Sequence, residues 1–235
     1  MKNLKAKSAC LILCVFVTVF CGCAPRTTTL FEDSFENISV GKYPSGTGWR
    51  NLFSGRNAYV SDSVAHAGSK SFRLESHPNW SRTDYVALTE IPDRLTYEAS
   101  VYADPTPGRS AFVGFVEAFA NMGPVYHNFR IYSGDGSTGK VMFHAQPNKP
   151  YTELGRFSVD RWVRVRADLD FTNLTANLWV DGKLLARDVN IAPKEFDDPS
   201  YGHVVLGKWG ATEYNWRSGG TGVIYIDDVR ICARQ

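Results

Sequence analysis

The sequence predicts an all-β fold, a two-sheet antiparallel β-sandwich of jelly-roll type, and three observations lead to this prediction. Apolar and polar residues alternate in several segments, most clearly at 71–75, 95–102, 162–169 and 174–180. Alternation with a period of two is typical of a strand that has one buried and one solvent-facing side. Clusters of glycine, proline, aspartate and asparagine separate these segments, and helical periodicity is nearly absent. We expect roughly twelve short strands joined by turns, as in a sandwich.

One tight hairpin is expected where Asp181 and Gly182 separate two strand-like segments. A type I′ turn needs positive φ at both central residues, and an Asp-Gly pair adopts that conformation readily. Trp162 and Trp179 lie within alternating segments and are predicted to be core residues.

The N-terminal segment has the features of a signal peptide. Three lysines, Lys2, Lys5 and Lys7, precede an apolar run over residues 9–20 in which only Thr18 is polar. This run is shorter than the ~20 residues that a helix needs to span a bilayer core of about 30 Å. A basic start followed by a short apolar run is typical of a secretory signal.

The end of this segment resembles the bacterial lipobox, in which a small residue precedes the cysteine that receives the lipids. Gly22 precedes Cys23, whereas Phe20 and Cys21 depart from the commonest residues at their positions. The resemblance implies cleavage before Cys23 and lipidation of that cysteine. Because Ala24 rather than aspartate follows, we expect an outer-membrane location if the host is Gram-negative. The alternative is ordinary signal-peptide cleavage without a lipid.

The expected organisation is a signal peptide over 1–22, a tether over 23–29 and one jelly-roll domain over 30–235. Outside the signal peptide only Cys23 and Cys232 remain, so no internal disulfide is expected. The formal net charge of +2 and the lack of a basic stripe argue against a nucleic-acid partner. Contact with a membrane is expected only through the lipid.

Residues 160–170 and 178–185 resemble the concanavalin A-like, laminin G-type jelly roll, with a Trp-led strand, a polar turn and an aliphatic strand ending in Val-Asp-Gly-Lys. Residues 30–36 and 225–231 are similar to the opening and closing strands of extracellular carbohydrate-binding sandwiches, and residues 67–74 to their second strand. The resemblance implies that the first and last strands are neighbours. It leaves the activity open, because this sandwich hosts lectins, hydrolases, lyases and adhesion modules.

A structural calcium site is one hypothesis for the acidic residues at the two ends of the domain. If the terminal strands are neighbours, Glu32 and Asp33 approach Asp227 and Asp228, and their carboxylates repel one another unless a cation lies between them. Calcium binds about six to eight oxygen ligands. A regular strand directs consecutive side chains to opposite faces, so only one of Asp227 and Asp228 can be a ligand. The candidate ligands are Glu32, Asp33 and Asp228, and the alternative is simple solvation.

Catalytic motifs are sparse. Glycosidases use two carboxyl groups, and the Glu-x-Asp-x-x-Glu strand of concanavalin-like glucanases is missing. Glu117 is a single acid in an apolar strand, and we interpret it as a hydrogen-bonded structural residue.

A polysaccharide lyase is the alternative for which the sequence contains a similar motif. Lys208, Gly210 and Tyr214 are similar to the last strand of some jelly-roll lyases, in which Tyr or His removes a proton beside a uronate carboxylate and Arg stabilises the charge. His127 and Arg130 could then complete the site. The Arg-x-Glu and Gln-x-His strands of alginate lyases are missing, so Lys208 and Tyr214 could equally border an ordinary loop.

Aromatic residues in predicted loops suggest sugar binding. Trp209, Tyr214 and Trp216 lie in a glycine-rich segment, residues 209–222, and Trp80 lies in another polar loop. Exposed aromatic rings stack on sugars, although such residues also pack over sheet edges. These four residues are the predicted ligand-binding set.

The leading hypothesis is a cell-envelope lipoprotein that binds an extracellular polysaccharide or glycoconjugate without catalysis. The alternatives are a polysaccharide lyase or glycoside hydrolase, and a purely structural surface lipoprotein. Aromatic rings on an open face favour binding, whereas a Tyr/His/Arg set converging in a groove favours catalysis.

Overall fold

The computed structural model describes residues 27–53, 57–76, 81–117, 125–147, 149–215 and 221–235. This part of the chain contains seventeen strands and one 3-10 turn at Ser45–Thr47. The strands are β1 (Thr27–Asp33), β2 (Trp49–Phe53), β3 (Asn57–Ser61), β4 (Ser71–Glu75), β5 (Arg82–Ala87), β6 (Arg94–Ala103), β7 (Arg109–Val116), β8 (Val125–Tyr132), β9 (Thr138–His144), β10 (Thr152–Ser158), β11 (Trp162–Asp170), β12 (Thr175–Val180), β13 (Lys183–Asn190), β14 (Glu195–Asp198), β15 (Gly202–Val205), β16 (Lys208–Asn215) and β17 (Val223–Arg234).

Two large antiparallel sheets form the sandwich, which confirms the predicted fold class. The eight-stranded sheet has the order β13-β12-β11-β6-β17-β4-β3, and β1 also pairs with β17. The seven-stranded sheet has the order β10-β9-β8-β7-β16-β5-β2, and β14 and β15 form a separate ribbon. No helix in the described residues is long and apolar enough to cross a bilayer.

The core lies between the two sheets, because alternate residues of each strand face inwards. On β11, Val163 and Val165 are fully buried. The centre of the core is aromatic, with the ring of Trp209 lying 6.4 Å from Trp49 and 5.8 Å from Tyr97 between centroids. Burial of each large apolar side chain stabilises the fold by roughly 1.5–3 kcal/mol.

The first and last strands are neighbours, as the resemblance implied. Thr29 pairs with Cys232, and Asp33 pairs with Val229. Strand β1 begins at Thr27, inside the predicted tether, because its first residues already pair with the end of β17. The predicted domain start at residue 30 is therefore too late. On the partner strand β17, Cys232 is buried and forms no disulfide.

The Asp-Gly hairpin joins β12 and β13 as predicted, with φ of 50° at Asp181 and 76° at Gly182. The prediction that Trp162 and Trp179 are core residues is wrong. Both are half-buried, and they alternate with the buried aliphatic residues and so face outwards. The guanidinium of Arg166 lies 4.8 Å from the centroid of Trp179.

Candidate functional site

The outer face of the seven-stranded sheet, turned away from the core, carries a cluster of polar and aromatic side chains. Val113 on β7 pairs with Phe129 on β8, and both are fully buried. Phe112 and Arg130, which also pair, therefore point to the opposite face. On the same strands Ser110 pairs with Tyr132. We call Ser110, Phe112, Arg130, Tyr132 and Tyr151 the Arg130 cluster.

Aromatic rings surround the guanidinium of Arg130. Its central carbon lies 5.0 Å from the centroid of Tyr132, 5.3 Å from that of Phe112 and 5.8 Å from that of Tyr151. Cation–π contacts contribute about 0.5–1 kcal/mol when exposed and more when desolvated. Burial lowers the pKa of Arg130 from its ordinary value. The cluster thus holds a cation in a partly water-excluded setting.

Arg130 has no carboxylate partner among the described residues, which include all 24 aspartates and glutamates of the sequence. Its Nε and Nη2 donate only to the hydroxyl oxygen of Ser110, at 3.1 and 2.9 Å. The other described arginines that are buried or half-buried are all ion-paired. Their pairs are Arg73–Glu75 at 2.7 Å, Arg82–Asp84 at 2.5 Å, Arg109–Asp104 at 3.2 Å, Arg166–Asp168 at 2.9 Å and Arg234–Asp168 at 2.6 Å.

A β-bulge in β8 forms one side of the cluster. His127, with φ of 44°, and Asn128 lie together opposite Gly114. A Cβ atom at Gly114 would come within 2.5 Å of the Asn128 Cβ, so only glycine fits. The Asn128 amide oxygen accepts a bond from the Tyr151 hydroxyl at 3.2 Å, and His144 stacks on Tyr151 with centroids 4.8 Å apart. The bulge therefore positions the third ring around Arg130.

His127 does not belong to this outer face, so the suggestion that His127 and Arg130 together complete a lyase site is wrong. Its side chain is 1% exposed, its Nε2 lies 3.0 Å from the carbonyl oxygen of Ala192, and its ring packs 5.9 Å from Phe171. Burial lowers the pKa of His127 to about 4. The physical reason is that His127 alternates with Phe129 on the inward side of β8.

Lys208 is also separated from the cluster. It lies on the same strand as Tyr214, but six residues at about 3.3 Å each separate them by about 20 Å. Lys208 Nζ binds Glu117 Oε2 at 2.8 Å, and Glu117 also accepts the backbone N–H of Gly207 at 2.7 Å. The interpretation of Glu117 as a hydrogen-bonded structural residue is thus confirmed. The four residues of the suggested lyase site do not lie together, because His127 and Lys208 are separated from Arg130 and Tyr214.

Trp209 is a core residue, so its predicted role as an exposed sugar platform is wrong. The segment predicted as a loop continues as β16 to Asn215, and the Trp209 side chain is 0% exposed. Gly210 suggested a loop, but it is glycine because a Cβ there would lie 2.6 Å from the carbonyl oxygen of Asp84. Close packing against β5, rather than turn geometry, explains this glycine.

Of the remaining predicted ligand-binding residues, Tyr214 is 36% exposed and lies opposite Ser110 in the sheet. It is close enough to Arg130 to influence the pKa of the guanidinium. Arg130 and Tyr214 are therefore the two predicted residues that the structure brings to one surface. Trp80, Trp216 and the predicted lipidation site Cys23 lie outside the described residues.

The predicted calcium ligands Glu32, Asp33 and Asp228 line one surface pocket. Asp228 Oδ2 lies 2.6 Å from Nδ1 of His66. No group of three or more acidic, histidine or cysteine side chains in the described ranges is arranged to hold a metal ion.

The carboxylate of Asp33 is already engaged by protein donors. Oδ1 accepts the backbone N–H of Phe35 at 2.8 Å, and Oδ2 accepts the Thr47 hydroxyl at 2.6 Å and Trp49 Nε1 at 3.1 Å. These bonds tie the end of β1 to the start of β2. Calcium stays a prediction, which thermal melts in calcium and in chelator would test.

Sequence reasoning missed a row of aromatic side chains on the outer face of the eight-stranded sheet. The Tyr102 ring lies 5.6 Å from Trp162 and 6.0 Å from Tyr225, and Arg73 lies 5.2 Å from the centroid of Tyr59. We call these five residues the aromatic row. The phase of the alternation could have revealed them, since Tyr102 and Tyr225 each lie between two buried aliphatic residues, and Trp162 immediately precedes the buried Val163.

The fold and the two outer faces define a jelly-roll sandwich with polar and aromatic surfaces. No protein-family model matches the chain, and no curated protein matches it.

Solved structures share the fold. The pseudo β-1,3-glucanase and immunostimulatory antigen of Mycobacterium tuberculosis matches with a TM-score of 0.56 and 15% identity, over 88% of this chain and 99% of that one. The carbohydrate recognition domain of Emp47p matches with a TM-score of 0.51 and 14% identity, over 86% and 93%. A sialidase matches with a TM-score of 0.55 and 12% identity, over 86% of this chain but only 18% of its own length. At these identities the likeness concerns the fold alone.

Proposed function

We propose that this protein binds glycans without cleaving them and that the Arg130 cluster, with Tyr214 beside it, is the binding face. The observation that carries this proposal is the half-buried guanidinium of Arg130, held among three aromatic rings with no carboxylate partner among the described residues. Aromatic faces stack on sugar rings, and guanidinium, hydroxyl and amide groups bond their hydroxyls. Fold neighbours that include a carbohydrate recognition domain are consistent with this class of ligand.

Binding is favoured over catalysis by the groups near Arg130. A glycosidase needs two carboxyl groups at the scissile bond, and no described carboxylate contacts Arg130. A lyase needs a base, and His127 is buried while Lys208 is paired with Glu117. The lyase alternative therefore depends on Tyr214 as the base.

The aromatic row is the competing location for a glycan on this protein. Its arginine, Arg73, is already paired with Glu75 at 2.7 Å. Arg164 nearby on the same sheet pairs with Glu98 at 3.1 Å. We favour the Arg130 cluster because its charge has no such partner among the described residues.

For the cellular context we propose a lipid anchor on Cys23 at the cell envelope, with an extracellular polysaccharide or glycoconjugate as partner. The support is the Gly22-Cys23 junction after the basic and apolar segment. Mass spectrometry of the protein from its host should find an acylated N-terminal Cys23. A soluble product that begins at another residue would remove the anchor from the proposal.

The test is a polysaccharide panel scored for both binding and product release, with absorbance used to detect unsaturated uronates. Tyr132→Ala and Tyr214→Ala should each weaken binding on the order of thirtyfold, as at other aromatic hot spots. Trp162→Ala, a matched change in the aromatic row, should leave affinity unchanged. The opposite pattern would move the site to the other sheet, and release of unsaturated products that Tyr214→Phe abolishes would establish the lyase.

A further inference from the structure

We propose that the ligand of this face carries an anionic group, a carboxylate or a sulfate ester, and that Arg130 binds that group directly. This inference rests on the proposed glycan-binding function and adds the chemical class of the glycan.

The first argument is the missing counter-charge. Each of the five other described arginines that are buried or half-buried has a carboxylate oxygen within 3.2 Å. Arg130 is shielded from water by Phe112, Tyr132 and Tyr151, yet it has a serine hydroxyl as its hydrogen-bond acceptor. A guanidinium that is partly desolvated and unpaired is unfavourable, and an anion from outside the protein would correct this.

The second argument is the direction of the unused donors. A guanidinium has five N–H donors. Nε and Nη2 of Arg130 both point to Ser110, and Nη1 makes no hydrogen bond to any described residue. Nη1 is also not among the atoms that are buried without a hydrogen-bond partner in the described part of the chain. Nη1 and the second hydrogen of Nη2 form the edge that commonly binds a carboxylate or sulfate with two parallel bonds.

The third argument is that neighbouring charges do not already neutralise the face. Lys140, opposite Tyr132 on β9, pairs with Glu153 at 2.9 Å, and Glu153 also binds Arg156 at 3.0 Å. This group carries two cations and one carboxylate. Burial lowers the pKa of His144, which opposes protonation of its ring. Together with Arg130, this group places three cations and one carboxylate on these strands, which favours an acidic over a neutral glycan.

The test uses probes in matched pairs. Polygalacturonate and its fully methyl-esterified form differ in the carboxylate, and dextran sulfate and dextran differ in the sulfate. We expect wild-type protein to bind at least one anionic member at least tenfold more tightly than its neutral partner, and added salt to weaken that binding. Arg130→Gln should lose the preference, and Arg130→Lys should retain part of it. Arg187→Gln, which removes an exposed positive charge from the other sheet, should retain all of it.

A second readout separates this inference from the proposed function. In NMR spectra of the wild-type protein, sodium glucuronate or sodium sulfate should shift the Arg130 Nε–H resonance, assigned by its loss in Arg130→Lys, whereas methyl glucoside and sodium chloride should not. Equal binding of the paired polymers would overturn the anionic ligand and leave glycan binding standing. A shifted resonance without binding to any polymer would keep the anion site and overturn glycan binding. If no probe binds or shifts the resonance, both are wrong.

Discussion

The guanidinium of Arg130 donates two hydrogen bonds to the single hydroxyl oxygen of Ser110, from Nε at 3.1 Å and from Nη2 at 2.9 Å. Ser110 is fully buried on the neighbouring strand, so this contact fixes the orientation of the guanidinium. Arg130 is thereby held in one position before any ligand arrives, which reduces the entropy lost on binding.

Replacing Ser110 with alanine should destabilise the fold by about 1–3 kcal/mol, because a partly buried guanidinium loses its acceptor. Ligand affinity should also fall, since Arg130 is no longer oriented. Ser100→Ala is the matched control, because the buried Ser100 hydroxyl has no hydrogen-bond partner. Denaturant melts and titration calorimetry measure both effects. Equal stability of the two variants would show that the Ser110 contact contributes nothing.

Trp209→Ala should lower the free energy of unfolding by about 3–5 kcal/mol, because the fully buried indole leaves a large cavity. Trp162→Ala should have a smaller effect, since Trp162 is half-buried on the outside of the other sheet. Chemical denaturation followed by circular dichroism compares the two. A stable Trp209→Ala variant would contradict the position of Trp209 in the core.

Stability should fall as the pH rises from about 4.5 to 7, because of Glu213. This residue is 0% exposed, and burial raises its pKa to about 7, although Ser76 and the Arg109 charge oppose the rise. The folded state then binds more protons than the unfolded state over that interval. The stabilisation is fully present below the unfolded pKa near 4.3 and is lost as the pH passes the folded pKa. The change is on the order of 3 kcal/mol.

Glu213→Gln isolates this effect. Asp227, whose pKa burial raises to about 6, gives a similar dependence at lower pH, so the difference between wild type and variant is the informative quantity. The variant should gain stability relative to wild type between pH 5 and about 7 and keep a constant advantage above it. A difference that does not change with pH would show that Glu213 titrates normally.

Gly114→Ala should destabilise the fold by about 1–3 kcal/mol, because the new methyl group meets Asn128 in the β8 bulge. The displaced Asn128 should also release Tyr151 and weaken ligand binding. Gly46→Ala provides the control, since nothing lies within 4 Å of a Cβ there. A Gly114→Ala variant as stable as the control would mean that the bulge can relax.

The sequence predicted the parts of the fold that depend on local pattern. These parts are the alternating strands β6, β11 and β12 and the Asp181-Gly182 turn. It failed on β16, because the strand places Glu213 on its inward side and Gly210 beside the β5 backbone, and neither resembles a typical strand residue. Trp162 and Trp179 were misplaced because alternation gives two faces, and the aliphatic residues occupy the inner one.

The candidate site was only partly predictable for a different reason. Arg130 and Tyr214 were selected from separate short motifs, but their common surface depends on the register of β7, β8 and β16. The role of Ser110 depends on that register, and that of Tyr151 on the β8 bulge. Contacts between residues distant in sequence are set by strand pairing, which a single sequence does not specify.

The most direct test of the glycan-binding face is a map of backbone amide shifts in NMR spectra, recorded with the polysaccharide that the panel selects. We predict the largest shifts on the outer-face residues of three adjacent strands, around Ser110, Arg130 and Tyr214. Shifts concentrated instead around Tyr102, Trp162 and Tyr225, on the other sheet, would contradict the assignment of the site to the Arg130 cluster.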